Sequence, residues 1–188
     1  MDYLYYQFEL ELKIRNYSSR TVESYCRCIK EFLQEFDEGQ VVGLNVNLIK
    51  KFLLEKFEKG LAPSTVNVYL NAIKFLYRRV LGVKVRIPIS FAKRNKKLPV
   101  VLSKEEVMKV LFEVRNLKHR LMLALAYGSG LRVSEVVNLK VSDLDFAYAI
   151  ILVRNAKGAK DRYTILPEAV LGDIPKMLKE RGKRDYVF

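Results

Sequence analysis

The sequence predicts a mainly α-helical protein that also contains a small antiparallel β-hairpin. In the first 82 residues, four segments repeat apolar side chains every three or four positions, which is the period of an amphipathic helix. A basic stretch with two prolines then separates this region from a second one. The second region contains further helical segments and two β-rich runs around the tip Lys157-Gly158-Ala159-Lys160, a pattern typical of a hairpin.

The four N-terminal segments predict one small helical domain over residues 1–81. The predicted helices are residues 2–14, 18–36, 45–60 and 63–82. A Ser18/Ser19 cap precedes the second helix, and Asn45 or Asn47 opens the third, because short polar side chains satisfy the free N–H groups at a helix start. The apolar faces of these helices are expected to form a shared core.

Residues 82–100 predict a basic linker that follows this domain. The linker contains Pro88 and Pro99 but no acidic residue. Its six cations are Lys84, Arg86, Lys93, Arg94, Lys96 and Lys97. The whole chain has a net charge of +13 at pH 7, and the positive excess is concentrated here, so we predict that these side chains contact the phosphate backbone of nucleic acid. A solvated linker that is basic by chance is the alternative interpretation.

The sequence predicts neither a membrane protein nor a metal-dependent protein. The chain has no apolar run long enough for a membrane span and no signal-peptide pattern, so a cytoplasmic protein is expected. A membrane partner is not expected either, because no basic amphipathic helix carries an aromatic apolar face. Cys26 and Cys28 point apart on a helix and are expected to be reduced structural thiols. His119 is the single histidine, so we predict no metal and no cofactor.

The second region begins near a capping-box pattern formed by Ser103 and Glu106. The most apolar helix of the chain follows at residues 117–130, and we expect it to be central in a second core. Two glycines end this helix sharply, and a short helix is predicted from Arg132 to Val137.

The last third of the chain is predicted to contain both strands and helical segments. The hairpin comes first and has a basic tip. Residues 167–182 look helical but are interrupted by a glycine and a proline. Residues 184–188 look like the start of a further strand.

Arg132 stands where a sharp turn leads into the short helix, which indicates an anion-binding role. At such a turn, the guanidinium and free backbone N–H groups are expected to point the same way. The hairpin lysines offer a second cation that could reach the same anion. Two plainer interpretations remain open at this point. Arg132 could be a buried arginine paired with Glu135 or Asp143, and the hairpin tip could simply be solvated.

Two stretches, "LMLALAYGSGLRVSEVVNLKVSDLDF" and "NAKGAKDRYTILP", resemble the first half of the catalytic domain of the tyrosine recombinase, or phage integrase, family. Within the family they look closest to Xer-type enzymes and their archaeal relatives. Residues 1–81 are similar to the SAM-like core-binding domain of the family, and "LPVVLSKEEV" resembles the entry to its catalytic domain. The resemblance implies a four-helix core-binding domain followed, at residues 101–188, by the N-terminal half of an α+β catalytic domain.

The resemblance implies site-specific recombination or integration of double-stranded DNA. In this metal-free reaction a tyrosine attacks a DNA phosphate, and the resulting 3′-phosphotyrosyl link is later reversed by a 5′-hydroxyl. Arg132 matches the first catalytic arginine, and Lys157 matches the hairpin lysine that protonates the leaving oxygen. Glu135 is expected to orient Arg132. Lys160 and Arg162 are expected to contact DNA phosphates, with Lys160 as an alternative proton donor.

The sequence departs from the family pattern after the hairpin. No histidine, no H-x-x-R box and no tryptophan follow it, and neither Tyr163 nor Tyr186 has the context of the nucleophile. We therefore expect a form truncated at Phe188 that is inactive alone. The apolar helix around residues 121–126 would then be partly uncovered, so self-association or a complementing C-terminal catalytic fragment is expected.

Three classes of function fit these residues. The first is a recombinase portion, either truncated or one half of a split enzyme. The second is a non-catalytic DNA-binding module derived from a recombinase. The third is a helical scaffold that binds RNA or protein, for which a preference for RNA over duplex DNA would be diagnostic.

Overall fold

The computed structural model forms two compact units, Met1–Leu98 and Pro99–Phe188. The described residues are 1–84, 87–93, 98–156 and 160–188. The mainly helical prediction is confirmed, as is the small antiparallel β-structure in the second unit. Within the described ranges, every helix is too short or too polar to cross a membrane.

The first unit is helical throughout its described part. Its elements are α1 (Asp2–Ile14), α2 (Ser19–Glu35), α3 (Glu38–Val42), α4 (Val46–Glu58), α5 (Pro63–Phe75) and a π-helical turn (Leu76–Val80). The caps follow the predicted chemistry, because Ser18 accepts from the Thr21 N–H and Asn45 accepts at the start of α4. Helix α3 was not predicted, since five residues are too few to show a helical period.

The core of the first unit is formed by the apolar faces of these helices. Phe8, Ile29, Phe52 and Ile73 are fully buried within it, together with other aliphatic and aromatic residues. The cysteines at positions 26 and 28 are free and buried, and burial raises the pKa of Cys28 to about 11. These thiols are therefore protonated and act as small apolar side chains.

An ion pair between a buried lysine and a partly exposed glutamate connects α2, α4 and α5. The Nζ of Lys56 lies 2.8 Å from Oε2 of Glu31 and 4.5 Å from the centre of the Phe52 ring. The Tyr69 hydroxyl donates to the same carboxylate oxygen at 2.7 Å. Burial and this hydrogen bond raise the pKa of Tyr69. Because the charged groups satisfy one another, the lysine is tolerated inside the aromatic cluster.

Part of the predicted linker packs on the first unit. Ile87 is buried, and the side-chain amide of Asn67 makes two hydrogen bonds to the backbone of Ala92, at 3.1 and 2.8 Å. Lys74 donates to the carbonyl of Ile89 at 2.7 Å. These contacts hold residues 87–92 against α5.

The second unit combines short helices with a three-stranded antiparallel sheet in the order β1-β2-β3. Its elements are α6 (Lys104–Glu113), α7 (Leu117–Gly128), α8 (Val133–Val137), a 3₁₀ turn (Val141–Asp143), β1 (Leu144–Asp145), β2 (Ile150–Ala156), β3 (Lys160–Ile165), α9 (Glu168–Leu171) and α10 (Ile174–Met177). The predicted hairpin is β2 and β3, with Val153 opposite Arg162. Strand β1 was not predicted, and the terminal strand expected at 184–188 is reduced to a single bridge between Lys140 and Tyr186.

Helix α7 lies in the second core but is covered on one side only. Leu121 and Leu125 are buried among residues of α8, β2, α9 and α10. Leu123 and Tyr127, on the same helix, are exposed, and α6 buries none of its side chains. The apolar surface expected on this helix is therefore present in the described residues.

Candidate active site

The turn between α7 and α8 is held tightly against its surroundings. Gly130 has a φ of +61°, which favours glycine, and a Cβ on Gly128 would lie 2.5 Å from Cγ of Pro167. The carbonyl of Ser129 accepts a hydrogen bond from the Thr164 hydroxyl at 2.8 Å. These contacts attach the turn to β3 and fix the start of α8.

Arg132 is the N-terminal cap of α8, and its side chain is 56% exposed. This exposure contradicts the interpretation of Arg132 as a buried arginine. The pairing with Glu135 is present, because Nη1 of Arg132 lies 2.7 Å from Oε1 of Glu135. Asp143, the other partner considered, binds Arg154 at 2.7 Å. The guanidinium therefore retains donors that face solvent.

The expected free backbone N–H at the helix start is not available at Arg132. This group donates to Oε2 of Glu135 at 2.8 Å, so the carboxylate holds both the backbone and the side chain of the arginine. An anion at this position would therefore meet the Arg132 guanidinium and not the Arg132 backbone N–H.

Glu135 forms ion pairs with both arginines of the site, Arg132 and Arg162. Its side chain is only 8% exposed, and Arg162 binds it through two parallel hydrogen bonds, Nη1 to Oε1 at 2.8 Å and Nη2 to Oε2 at 2.9 Å. The Arg162 side chain lowers the pKa of Glu135 most, burial acts against it, and the backbone and side chain of Arg132 lower it further, to about 2. The carboxylate is therefore ionised at neutral pH and links two guanidinium groups.

Arg162 and Lys160 lie on one face of β3, because alternate residues of a strand share a face. The Thr164 hydroxyl that binds the α7–α8 turn is on this face too. Arg162 was predicted as a phosphate contact, but its guanidinium is engaged with Glu135, which sequence patterns did not indicate. Lys160 is exposed and has no ion-pair partner among the described residues.

The remaining predicted residues are only partly described. Lys84 and Lys93 are described and exposed. The predicted catalytic and DNA-binding residues that lie outside the described ranges are Lys157, Arg86, Arg94, Lys96 and Lys97. His119 is exposed in the first turn of α7, where its backbone N–H donates to the Asn116 side chain at 3.1 Å. In the described part of the chain, no three histidine, cysteine or acidic side chains are grouped as a metal site would require.

Two protein-family models match this chain. The model of the phage integrase N-terminal SAM-like domain matches residues 4–87, and that of the phage integrase family matches residues 100–188, which contain the whole site. The chain belongs to the tyrosine recombinase, or phage integrase, family.

Curated members of the tyrosine recombinase family share about a third of their residues with this chain. An integrase/recombinase of Escherichia coli is 32% identical over 175 residues, which are 92% of this chain and 52% of that protein. The tyrosine recombinase XerA of Pyrococcus horikoshii is 31% identical over 183 residues, which are 97% of this chain and 62% of that protein. The chain thus spans between about half and two thirds of the length of these relatives.

Two solved integrase structures have the same fold as this chain. The Tn1549 transposon integrase, in a complex with transposon right end DNA, has a TM-score of 0.75 at 20% identity, over 98% of this chain and 70% of that one. A lambda integrase dimer bound to a COC′ core site has a TM-score of 0.78 at 16% identity, over 100% of this chain and 73% of that one. At these identities the likeness establishes the fold.

The stability of the second unit is expected to depend on pH through Glu135. Its pKa is about 2, below the ordinary value of 4.5, so the folded state favours the ionised form. The resulting stabilisation, about 2 kcal/mol after allowance for solvent screening, is complete above about pH 4.5 and is lost as the pH falls towards 2. The free energies of unfolding of the wild type and of Glu135→Gln, measured with denaturant, should therefore become equal as the pH falls through this range. The control Glu180→Gln changes an exposed carboxylate, and its difference from the wild type should not change with pH in this way. A constant difference between wild type and Glu135→Gln from pH 6 to pH 2 would contradict the assignment.

Proposed function

We propose that this chain supplies the DNA-binding surface and the first part of the active site of a DNA strand-transfer enzyme. The observation that carries the proposal is the cluster of Arg132, Glu135 and Arg162, in which an exposed guanidinium is anchored by a buried, ionised carboxylate. Membership of the tyrosine recombinase family supports the reaction type.

The role of Arg132 is to bind the non-bridging oxygens of the phosphate that reacts. Negative charge builds up on these oxygens in the transition state, and a guanidinium held in place stabilises it without having to reorganise. Glu135 fixes the position of the guanidinium, because it accepts hydrogen bonds from the backbone N–H and from Nη1 of Arg132. The remaining guanidinium donors stay exposed. Arg162 in turn holds Glu135, so we assign it a positioning role rather than a phosphate contact.

The proposed reaction needs a nucleophile and a proton donor. A tyrosine oxygen forms a bond to phosphorus while its proton passes to solvent, and the bond from phosphorus to the 5′-oxygen breaks. The 5′-oxygen takes a proton from a lysine, which is then reprotonated from solvent. We propose Lys157 as this donor, with Lys160, which shares the face of Arg162, as the alternative. The 3′-phosphotyrosyl bond is later reversed by a 5′-hydroxyl.

The function is tested by formation of a covalent protein–DNA adduct. The chain is mixed with a second polypeptide that carries a candidate nucleophilic tyrosine and with a pool of labelled duplexes, and adducts are separated on a denaturing gel. We expect duplex binding by the chain alone and an adduct only in the mixture. If the chain binds duplex DNA but forms no adduct with any candidate partner, the result would favour a non-catalytic DNA-binding module. If the chain fails to bind duplex DNA at low salt, both the strand-transfer function and the DNA-binding module would be wrong.

A sulfur-substituted substrate distinguishes the two lysines within the same assay. A thiolate leaves without being protonated, so a duplex with sulfur in place of the bridging 5′-oxygen no longer needs the general acid. The alanine variant of the true donor should lose cleavage of ordinary DNA and regain it on the sulfur-containing duplex. The alanine variant of the other lysine should behave alike on both substrates. If neither Lys157→Ala nor Lys160→Ala showed this rescue, the general-acid assignment would be wrong.

A further inference from the structure

A second pair of an arginine and a buried carboxylate lies beside the proposed active site, at the 3₁₀ turn that follows α8. The side chain of Asp143 is only 4% exposed, and its Oδ1 accepts a hydrogen bond from Nε of Arg154 at 2.7 Å. Its Oδ2 accepts from the backbone N–H of Lys140 at 3.1 Å. A carboxylate that is buried to this extent needs such partners, so the pair holds the Arg154 side chain against the turn.

Arg154 lies in a part of β2 where the pairing of the hairpin shifts. Val153 is opposite Arg162, and the next described pair is Ala156 with Lys160. Between these two pairs β2 has two residues and β3 has one, which makes this part of β2 a β-bulge. Bulges bend a strand and redirect the side chains near them, and they are common beside active sites.

The bulge determines where the strands stand just before the two proposed proton donors. Lys160 is opposite Ala156 across the hairpin, and Lys157 is the next residue after Ala156 in the sequence. The extra residue of a bulge has no partner in the ladder of backbone hydrogen bonds. The ladder alone therefore fixes this part of β2 weakly, and a side-chain contact from the bulge to another element adds the missing constraint.

Close packing does not provide the whole constraint between α8 and β2. A surface cavity of about 420 Å³ is lined by residues of α8, of the 3₁₀ turn and of β2. Beside this cavity two ion pairs join the segment 132–143 to the hairpin, because Glu135 binds Arg162 of β3 and Asp143 binds Arg154 of β2. Each long strand of the hairpin is thus attached through one arginine to a buried carboxylate of the segment that begins with Arg132.

We propose that Asp143 and Arg154 are positioning residues for the lysine that protonates the leaving 5′-oxygen, in an inference that rests on the proposed function. Arg132 and this lysine must reach the same phosphate, although one precedes α8 and the other belongs to the hairpin. The contact between Asp143 and Arg154 fixes the bulge relative to the segment that carries Arg132. A displacement of about 1 Å in a reacting group can slow a reaction by roughly 100-fold, so this attachment matters for the rate.

The test is adduct formation by Arg154→Ala, in the presence of the polypeptide that carries the tyrosine, on ordinary and on sulfur-substituted duplexes. On ordinary DNA we expect the single-turnover rate at saturating protein to fall by about 10- to 100-fold, because the lysine is displaced. With sulfur in place of the bridging 5′-oxygen, the rate should return to within about threefold of the wild-type rate, because a thiolate leaves without a proton. A purely structural role, or a direct contact of Arg154 with a phosphate, would lower both rates alike.

Three further variants sharpen this test. Arg154→Lys keeps a cation that can reach Asp143, so it should retain most of the rate on ordinary DNA. Asp143→Asn keeps an acceptor for the Lys140 N–H but loses the charge, so it should show the same rescue by sulfur and serves in place of Arg154→Ala if that variant does not fold. Lys176→Ala is the matched control, because it removes an exposed ion pair with Asp173 and should leave both rates unchanged.

Hydrogen exchange in the 188-residue chain alone measures the attachment of the bulge directly. In Arg154→Ala the amide protection of residues 153–156 and 160–162 should fall by about tenfold or more, while that of residues 150–152 stays near the wild-type level. Circular dichroism checks that the variant is folded.

Specific outcomes would overturn the proposal. Equal losses of rate on the two duplexes, a wild-type rate of Arg154→Ala on ordinary DNA, or unchanged exchange around the bulge would each do so. If the wild type forms the adduct and only these results fail, the positioning role is wrong while the proposed function stands. If the wild type forms no adduct with any partner, the proposed function is wrong and the positioning role is wrong with it.

Discussion

The substitution Arg132→Ala is expected to lower the rate of covalent adduct formation by about 10³-fold or more, while duplex affinity changes little. The guanidinium is proposed to meet charge that develops only in the transition state, so its loss should appear in the chemical step. It is one cation among many on this basic chain, so its share of ground-state binding is small. Single-turnover adduct formation at saturating protein, with anisotropy for affinity, separates the two effects.

Arg132→Lys is the matched control for this result. It keeps the positive charge but loses the planar pair of donors and part of the contact with Glu135. We expect its rate to lie between those of the wild type and the alanine variant. Adduct formation at the wild-type rate by Arg132→Ala would contradict the catalytic assignment. A loss of affinity as large as the loss of rate would make Arg132 a ground-state binding residue instead.

The helices were predictable because their signals are local. Caps such as Ser18 and the Ser103–Glu106 box satisfy N–H groups within three residues, and the apolar period reports the buried face directly. Helix α3 and strand β1 were not predicted. They contain five and two residues, which are too few to show a regular spacing of apolar side chains. Strand β1 is held by pairing with β2, which lies later in the chain.

The candidate site was predictable only where its contacts are local in sequence. Glu135 lies three residues after Arg132, so a side-chain contact at the start of a short helix could be anticipated. The Arg162 contact joins residues 27 positions apart and depends on the register that places Arg162 opposite Val153. A sequence shows that such an arginine is charged, but it does not show which carboxylate pairs with it. For this reason Arg162 was predicted to contact a phosphate.

The basic surface at the end of α5 was missed for a different reason. Its signal, a long stretch without acidic residues, is present in the sequence, but the prolines predict a linker and so place the basic surface after residue 82. The structure extends it back into Arg78 and Arg79, because the π-helical turn brings the end of α5 and Lys84 around one cavity. The basic surface therefore combines residues from the end of α5 with residues of the segment that follows it.

The substitution Glu135→Ala is expected to destabilise the second unit by about 2 to 3 kcal/mol, less than for a fully buried pair because Arg132 is exposed. The buried carboxylate is the counter-charge for two guanidinium groups, so its removal leaves both without a partner. Arg162→Ala should cost only about 1 to 2 kcal/mol, since Glu135 keeps its two contacts with Arg132. Urea unfolding followed by circular dichroism, with hydrogen exchange in β2 as a local probe, measures these free energies.

The double variant Glu135→Ala, Arg162→Ala decides whether the cluster acts as a unit. If the two residues stabilise the fold through each other, the double variant should lose less than the sum of the single losses, with a coupling of about 1 to 2 kcal/mol. Asp173→Ala, which removes an exposed pair with Lys176 at 3.5 Å, is the control and should change stability by less than about 0.5 kcal/mol. Additive losses would show that Arg162 does not hold Glu135. In that case the guanidinium of Arg162 would be available to a phosphate, as its charge alone first indicated.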